Sequence, residues 1–295
     1  MKRAPKIQKY GFFCVDKPSG IVSSTVVNKL KWLTGLPSGH MGTLDPLASG
    51  VLPVGVGNAT RLFDYFLEKE KRYVAEFTFG VSSDTLDSTG ELVYGGYVPN
   101  EREIEDVLPT LVGDVLQVPP KYSAKNVNGR RGYELARAGV DFELAPKKVK
   151  IHEITLLGKS ETTENAYRME IVCGGGTYIR SIGRDLAEAL GTNAVMSALR
   201  RTQSGFFTLE NALPFDFFLQ DGLTAEDLET ALIPTERVLP FAKIELLGNW
   251  EKIFSGLAVK ADAPDGLYKL YRADGEFYGI AEVKNGLAKA KTKLC

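Results

Sequence analysis

The chain has 295 residues, of which 44% are hydrophobic and 25% are charged, and its formal net charge at pH 7 is −1. This balance is typical of a folded globular protein, and it excludes a disordered chain, a collagen and a small disulfide scaffold. No run of about 18 apolar residues occurs, and no apolar segment follows the basic N-terminus, so we expect neither a membrane span nor secretion.

Strands and helices are predicted along the first 234 residues. The apolar spacing predicts a buried strand at 11–15, then a helix that Ser23 or Ser24 caps and that Gly35 ends. Residues 36–50 are rich in glycine, proline and serine, which predicts a long loop, and such loops tend to carry function. The further predicted elements are strands at 51–56, 73–79, 147–157 and 167–173, and helices at 60–67, 101–111, 178–190 and 224–232.

Three of these elements carry a more detailed prediction. The short helix at 224–232 is expected to be capped by Thr224. Alternation along the strand at 73–79 places four apolar side chains on one face, namely Tyr73, Ala75, Phe77 and Phe79. The helix at 60–67 is expected to turn four side chains inward, namely Leu62, Phe63, Phe66 and Leu67.

After Pro234 the sequence consists of short strand-like runs. These runs lie at 243–247, 256–261, 267–271 and 276–283, and Asp274-Gly275 is a hairpin signal between the last two. We therefore predict a mixed α/β domain over residues 1–239 and a β-rich module over residues 240–295.

Few residues of the chain could bind a metal. The three cysteines, Cys14, Cys173 and Cys295, are far apart and form no CxxC pair, so we expect reduced thiols in the cytoplasm. With only two histidines, His40 and His152, a histidine-based metal site is not expected. We predict chemistry that uses neither a metal nor a cofactor.

The charges are distributed unevenly. Residues 121–150 hold eight basic residues against three acidic ones, and residues 211–265 hold ten acidic residues against four basic ones. A basic stretch can attract phosphate groups even when the whole chain is nearly neutral. On charge alone, a solvated surface loop is the more common explanation, and the acidic stretch has no assigned partner.

One loop has an unusual composition. Residues 39–50 contain three glycines besides His40 and Asp45, and Pro46 biases the backbone of Asp45 away from the helical region. The loop therefore presents a carboxylate from a stiff backbone. By composition alone, an ordinary Asp-Pro turn is the more common explanation.

A second glycine-rich segment lies between a strand and a helix. Gly174-Gly175-Gly176-Thr177 is similar to a phosphate cradle, but it lacks the Gly-Lys-Ser/Thr of a nucleoside triphosphate site. Arg180 follows in the first helical turn, where the helix dipole disfavours a cation by about 0.3–1 kcal/mol. A partner anion would offset this cost, and the alternative is an arginine that points into solvent.

Six motifs in order resemble the TruB family of pseudouridine synthases, and the match runs from about residue 11 to 205. The motifs are Lys17-Pro18-Ser19-Gly20, the loop at 39–50, Lys71-Arg72-Tyr73, Pro119-Pro120-Lys121-Tyr122-Ser123-Ala124, Gly176-Thr177-Tyr178-Ile179-Arg180 and Leu199-Arg200-Arg201. The resemblance implies an α/β (α+β) catalytic fold, with a mixed, largely antiparallel sheet flanked by helices, and a short PUA-like RNA-binding module at 240–295.

The resemblance also implies an activity, the conversion of uridine-55 in the T-loop of tRNA to pseudouridine. Asp45 is then the catalytic aspartate, which can add to uracil C6 or act at C1′ of the ribose. Arg180 is expected to pair with Asp45 and to keep its carboxylate charged. The ring of Tyr73 would stack on the target uracil, with its hydroxyl near the C5 proton; an ordinary core tyrosine is the alternative.

The same resemblance assigns further residues to substrate binding. His40 would hold flipped-out nucleotides, Tyr178 and Leu199 would line the uracil pocket, and Lys17 would support the site from below. Arg200 and Arg201 would meet phosphate or brace the site. A basic insertion at about 121–150 would close over the RNA and make tRNA affinity depend strongly on salt; its cations include Lys121, Lys125, Arg130 and Arg131.

The expected partner is the T-arm and elbow of tRNA, bound by a monomer that needs no other protein. Three alternatives remain open. The first is a tRNA-folding chaperone that binds without chemistry. The second is the catalytic subunit of a guide-RNA particle, although only about 55 residues follow the boundary. The third is a glycoside-processing enzyme, which would want a second carboxylate that the motifs do not supply.

Overall fold

The computed structural model describes residues 5–66, 69–123, 125–127, 129–248 and 250–294. Leu67, predicted to face inward, Ala124 of the fourth motif and Cys295 lie outside these ranges. The strands are β1 Gly11–Lys17, β2 Ser38–His40, β3 Ser49–Val56, β4 Lys71–Phe79, β5 Val81–Ser83, β6 Leu92–Tyr94, β7 Gly113–Gln117, β8 Asn126–Val127, β9 Arg130–Arg131, β10 Lys147–Lys159, β11 Ala166–Cys173, β12 Ala194–Ser204, β13 Phe207–Thr208, β14 Leu213–Pro214, β15 Val259–Lys260, β16 Gly266–Tyr271, β17 Phe277–Lys284 and β18 Leu287–Lys293.

The helices of the described ranges are short, and none of them is long and apolar enough to cross a membrane. The α-helices are α1 Ser23–Thr34, α2 Glu101–Val107, α3 Gly132–Arg137, α4 Ile179–Ala189, α5 Ala225–Ala231 and α6 Thr235–Val238. Five 3₁₀-helices lie at Gly57–Phe66, Leu108–Leu111, Leu209–Asn211, Phe215–Leu219 and Trp250–Ser255.

The largest sheet of the described residues has ten strands. Its main path runs β14-β1-β3-β12-β4-β11-β10-β7, with β2 added to β3 and β13 added to β12. The pairs β1–β14 and β3–β12 are parallel, and the other pairs are antiparallel. The sheet is therefore mixed and largely antiparallel, which confirms the predicted fold class.

The predicted alternation of β4 is confirmed, and its apolar face forms the centre of the core. Tyr73, Ala75, Phe77 and Phe79 are all buried. Helices α1, α2 and α4 cover this face with their own buried side chains. Gly183 of α4 lies against the ring of Phe77, where a Cβ would clash, so a glycine is needed for the helix to lie this close.

A second core lies on the other face, between β1 and the C-terminal region. Phe12, Phe66 and Phe207 pack together with ring centroids 5.2–6.0 Å apart. The same core includes Phe277 and Leu294. The C-terminal strands form a sheet of their own, β15-β18-β17-β16, which has a further buried cluster. The division of the chain at residue 240 stays a prediction.

Several local predictions were wrong. Helix α1 begins at Ser23 with Val22 as its N-cap, so neither serine caps it. Phe63 is 38% exposed, because its short helix is a 3₁₀-helix that buries Ala59, Leu62 and Phe66 instead. In the stretch at 243–247, only isolated bridges from Lys243 and Leu246 are found, so it forms no strand.

The main strand missed by the sequence analysis is β12, which lies between β3 and β4 in the middle of the sheet. The adjacent charges Arg200 and Arg201 interrupt the alternation that would identify a strand. Two register shifts, one between Met196 and Ala198 and one between Arg201 and Gln203, interrupt it further.

Candidate active site

The loop that carries Asp45 is held on the side of α1 by three polar side chains. Lys17 is fully buried, and its ammonium donates to the carbonyl oxygens of Pro18 at 2.9 Å, Ile21 at 2.8 Å and Pro46 at 3.5 Å. The hydroxyl of Ser19 donates to the Leu47 carbonyl oxygen at 2.7 Å. Ser23 bonds both backbone groups of Leu44, since its hydroxyl donates to the carbonyl oxygen and accepts from the amide.

Arg201 holds the same loop from the side of the sheet. Its guanidinium is buried and donates to the carbonyl oxygens of Val51 at 2.7 Å, Gly42 at 3.0 Å and Thr43 at 3.5 Å. Gly50 pairs in parallel with Arg201, and a Cβ at Gly50 would clash with the Arg201 backbone. Fixed from both sides, the loop presents Asp45 in one orientation, with 35% of its side chain exposed.

Arg180 lies beside the carboxylate of Asp45 and is 7% exposed. Its Nη2 atom lies 3.0 Å from Oδ2 of Asp45, and its Nη1 atom lies 3.6 Å from Oδ2 of Asp87. The guanidinium also donates to the carbonyl oxygens of Thr85 at 2.9 Å and Tyr122 at 3.1 Å. Two carboxylates therefore supply the partner anion that the position of Arg180 in the first helical turn calls for.

Asp87 is a site residue that the sequence analysis missed. Its side chain is 7% exposed, and it accepts hydrogen bonds from the Thr85 hydroxyl and from the amide and hydroxyl of Thr89. The local pattern Thr85-x-Asp87-x-Thr89 is typical of a tight polar turn, so it signals a turn and not a contact with Arg180.

Asp45 and Arg180 line a cavity of about 620 Å³, a size typical of a small-molecule or nucleoside site. Four of the predicted site residues join them there: Tyr73, His40, Tyr178 and Leu199. The other residues that line the cavity are Val22, Met41, Gly42, Thr43, Leu44, Pro46, Phe63, Lys71, Tyr122, Ser123, Tyr133, Gly176, Thr177, Ile179, Met196 and Arg201.

Two titratable side chains in the cavity are neutral at pH 7. Burial raises the pKa of Tyr73 above its ordinary value, so its hydroxyl keeps its proton. Burial and the nearby Arg201 guanidinium lower the pKa of His40. Its Nδ1 atom is buried and has no hydrogen-bond partner among the described residues. His40 therefore presents an uncharged ring to the cavity.

Gln117, at the end of β7, fixes the start of the helix that carries Arg180. The Gln117 side chain is 2% exposed and brackets Tyr178, accepting from its amide at 2.8 Å and donating to its carbonyl oxygen at 3.1 Å. Tyr178 is the N-cap of α4. This contact therefore sets the positions of Tyr178 and Arg180, the two predicted site residues of the Gly176–Arg180 motif.

Other predicted site residues lie outside the cavity. The buried Lys17 supports the Asp45 loop from below and cannot itself contact a bound RNA. Arg200 turns away from the cavity and pairs with Asp16 at 2.8 Å. Lys121 pairs with Asp141 at 2.7 Å across the insertion. The insertion also holds Lys125, Arg130 and Arg131 outside the cavity, and its hairpin β8–β9 and helix α3 replace the loop that we predicted.

Replacing Lys17 with methionine is expected to lower the free energy of unfolding by about 1–3 kcal/mol, because three carbonyl oxygens lose a charged donor. The measurement is chemical denaturation followed by circular dichroism. The control is Lys9→Met, which removes only an exposed ion pair with Glu229. An unfolding midpoint equal to that of the wild type would show that Lys17 does not hold the loop.

Two family models match the chain in succession. The TruB family pseudouridylate synthase (N terminal domain) matches residues 33–179, and the tRNA pseudouridylate synthase B C-terminal domain matches residues 180–240. A tRNA pseudouridine synthase B of Acaryochloris marina is 37% identical over 96% of this chain and 98% of that protein. Another, of Bacillus licheniformis, is 42% identical over 78% of this chain and 76% of that protein.

A solved structure shares the fold over nearly the whole chain. It is the crystal structure of a Cbf5-Nop10-Gar1 complex, in which one chain superposes with a TM-score of 0.68 at 25% identity and covers 97% of this chain and 85% of that chain. Fold, site and sequence matches together define a pseudouridine synthase. The chain belongs to the TruB family of these enzymes.

Proposed function

We propose that this chain converts uridine-55 in the T-loop of tRNA to pseudouridine, with Asp45 as the catalytic residue. The proposal rests chiefly on one observation, the Asp45 carboxylate that Arg180 holds at 3.0 Å in a cavity of nucleoside size. The curated relatives that carry the name tRNA pseudouridine synthase B support tRNA as the substrate.

The chemistry is an isomerisation in which the substrate keeps all its heavy atoms. The bond from ribose C1′ to uracil N1 breaks, the base rotates, and a bond from C1′ to C5 forms. C5 then loses a proton, and N1 gains one. A carboxylate suits the first step because it is nucleophilic and can leave again. Arg180 orients Asp45 through their ion pair, and Tyr73 lies on the buried face of the cavity.

A uridine can reach Asp45 only when it leaves its stacked position in the RNA, which costs a few kcal/mol. Tyr73 and Leu199 offer the base an apolar, aromatic surface inside the cavity. Phe63 and Tyr133, each 38% exposed, also line the cavity and can contact the neighbouring nucleotides. These contacts supply the free energy that flipping the base requires.

We assign binding of the T-arm to the basic insertion, through Lys121, Lys125, Arg130 and Arg131, and to a PUA-like module at 240–295. Tyr133 belongs to the insertion and lines the cavity, which supports a role for the insertion in holding the RNA there. The chain would act as a monomer in the cytoplasm and without a guide RNA. The loss of affinity expected with rising salt follows from the phosphate contacts.

Replacing Tyr73 with phenylalanine is expected to slow single-turnover pseudouridine formation by roughly 100-fold, the usual loss when a proton-transfer group is removed. Tyr73→Leu should in addition lose about 1–3 kcal/mol of stacking free energy. Single-turnover rates and dissociation constants of both variants separate the two effects. A Tyr73→Phe enzyme with the wild-type rate would remove the hydroxyl from the mechanism.

The proposed target is tested with unmodified tRNA transcripts and no guide RNA. Pseudouridine is mapped after incubation with the wild type, using one transcript with uridine at position 55 and one with cytidine there. Product at position 55 of the first transcript and none in the second supports the proposal. Tight binding without product would favour a tRNA chaperone, and product only with an added guide RNA would favour a guide-dependent subunit.

A further inference from the structure

One part of the cavity wall contains a glycine turn and a lysine that the proposed chemistry does not use, and a second lysine lies next to the turn. The turn joins β11 to α4, and its Gly176 and Thr177 line the cavity together with Lys71. Lys147, the first residue of β10, lies next to the turn. We call Lys71, Lys147, Gly175, Gly176 and Thr177 the glycine-turn site.

The turn points backbone donors outward. Gly176 has φ +83°, a conformation that favours glycine, and the Thr177 hydroxyl closes the turn by donating to the Gly174 carbonyl oxygen at 3.0 Å. In the described part of the chain, the amides of Gly175 and Gly176 donate to no protein acceptor. Successive amides in a turn with a left-handed residue are a common means of binding anions.

One ammonium group lies beside these amides, and a second belongs to Lys71, which pairs across the sheet with Cys173, just before the turn. The Nζ atom of Lys147 is 2.8 Å from the position that a Cβ of Gly176 would occupy, so its charge lies directly over the turn. Lys71 is on the same face of β4 as Tyr73 and is 7% exposed. Burial, together with the positive charges of Arg201 and Lys147, lowers the pKa of Lys71 to about 8.

The charges therefore concentrate at one place in the wall. The side chains of Lys71 and Arg201 lie 3.8 Å and 3.5 Å from the position that a Cβ of Gly42 would occupy, so their charges repel, and a bound anion would offset that cost. The other strong charge of the cavity, Asp45, is held separately by Arg180. This separation gives the cavity a negative group for the chemistry and a positive region for a ligand.

We propose that the glycine-turn site binds a phosphodiester group of the RNA backbone next to the target uridine. The proposal rests on the proposed function, since a uridine within RNA carries a phosphodiester on either side. A phosphodiester has one negative charge and two free oxygens, which the amides and the two ammonium groups can bind together. The site would then position the ribose of the target against Asp45.

The test measures the affinity of wild type and Lys147→Met for a T-loop stem-loop RNA. A second RNA carries a neutral methylphosphonate at the phosphate before the target uridine, and a third carries it at the phosphate after it. We expect one of these changes to weaken wild-type binding by roughly tenfold, the loss of one charge-assisted hydrogen bond. The Lys147→Met variant should bind the unmodified RNA as weakly as the wild type binds that methylphosphonate RNA. The methylphosphonate should lower the affinity of the variant little further.

The control is Lys159→Met, at the far end of the same strand, which should behave like the wild type with all three RNAs. Lys71→Met should repeat the result of Lys147→Met. Each variant should also reduce the slope of log affinity against log salt by about 0.7, one phosphate contact on a single strand.

The proposal would be overturned if the losses of affinity caused by Lys147→Met and by the methylphosphonate were additive. It would also be overturned if neither methylphosphonate weakened wild-type binding. Because the readout is affinity, it is independent of turnover. A wild type that binds with the expected pattern but forms no pseudouridine would instead contradict the proposed function, and so the two failures are distinguishable.

Discussion

Replacing Asp45 with asparagine is expected to abolish pseudouridine formation while RNA affinity stays equal to that of the wild type or increases. Asparagine keeps the size of the side chain and can still accept hydrogen bonds, but its amide is neither a nucleophile nor a base. Removal of a residue that forms the covalent bond costs kcat about 10⁴-fold or more. Rapid-quench single-turnover rates and filter-binding dissociation constants measure the two quantities separately.

The matched control for this variant is Asp16→Asn. Asp16 is also a partly exposed aspartate in an ion pair with an arginine. Its partner is Arg200, and it does not line the cavity. This variant should therefore keep the wild-type rate. If Asp45→Asn retained a rate near that of the wild type, Asp45 could not be the catalytic group, whatever the affinity.

Arg180→Lys is expected to lower kcat by roughly 100-fold, although the positive charge remains. The guanidinium spans Asp45, Asp87 and the carbonyl oxygens of Thr85 and Tyr122 from two nitrogens. A lysine ammonium is a single point that cannot reach all four acceptors, so at least one buried carboxylate or carbonyl loses its donor. Asp45 would then lose the contact that orients it.

The control for a general effect of an arginine-to-lysine change in α4 is Arg184→Lys. Arg184 lies one turn further along α4 and pairs with Asp185 at 2.6 Å, outside the cavity. Its replacement should leave kcat unchanged. Steady-state kinetics on one tRNA transcript compare the two variants, and a wild-type kcat for Arg180→Lys would show that charge alone is sufficient at this position.

The parts of the site that could be predicted from the sequence are those encoded in one short segment. The loop at 39–50 shows its glycines, its proline and Asp45 together, and β4 shows its buried face by simple alternation. The position of Arg180 at a helix start, together with the dipole cost of a cation there, correctly indicated a nearby anion.

The parts that could not be predicted depend on contacts between distant segments. The resemblance implied that Arg201 meets phosphate or braces the site, but its burial was not expected. It is buried because the carbonyl oxygens of Gly42, Thr43 and Val51 offset the cost of burying its charge. Asp87 meets Arg180 only because the turn that carries Asp87 and the start of α4 approach each other in space. Ser23 reads as a helix cap, but Leu44 supplies both of its partners.

The basic insertion shows a similar limit. Its charge and its three glycines favoured a loop that orders on binding, but hydrogen bonds are already formed in its described part. Glu134 accepts from the backbone amide of Arg131 at the start of α3, and the Tyr133 amide donates to the carbonyl oxygen of Ser123 at 3.0 Å. Composition reports the charge of such a segment, whereas its conformation depends on which backbone groups find partners.

The most direct test of the proposed reaction is tritium release from a tRNA transcript labelled at uridine C5. The transcript is incubated with the wild type and with Asp45→Asn in the absence of a guide RNA. Every route from uridine to pseudouridine removes the C5 proton, so release reports the isomerisation itself. The account predicts release by the wild type alone, with the product at position 55. Binding without release by the wild type, or equal release by both proteins, would contradict it.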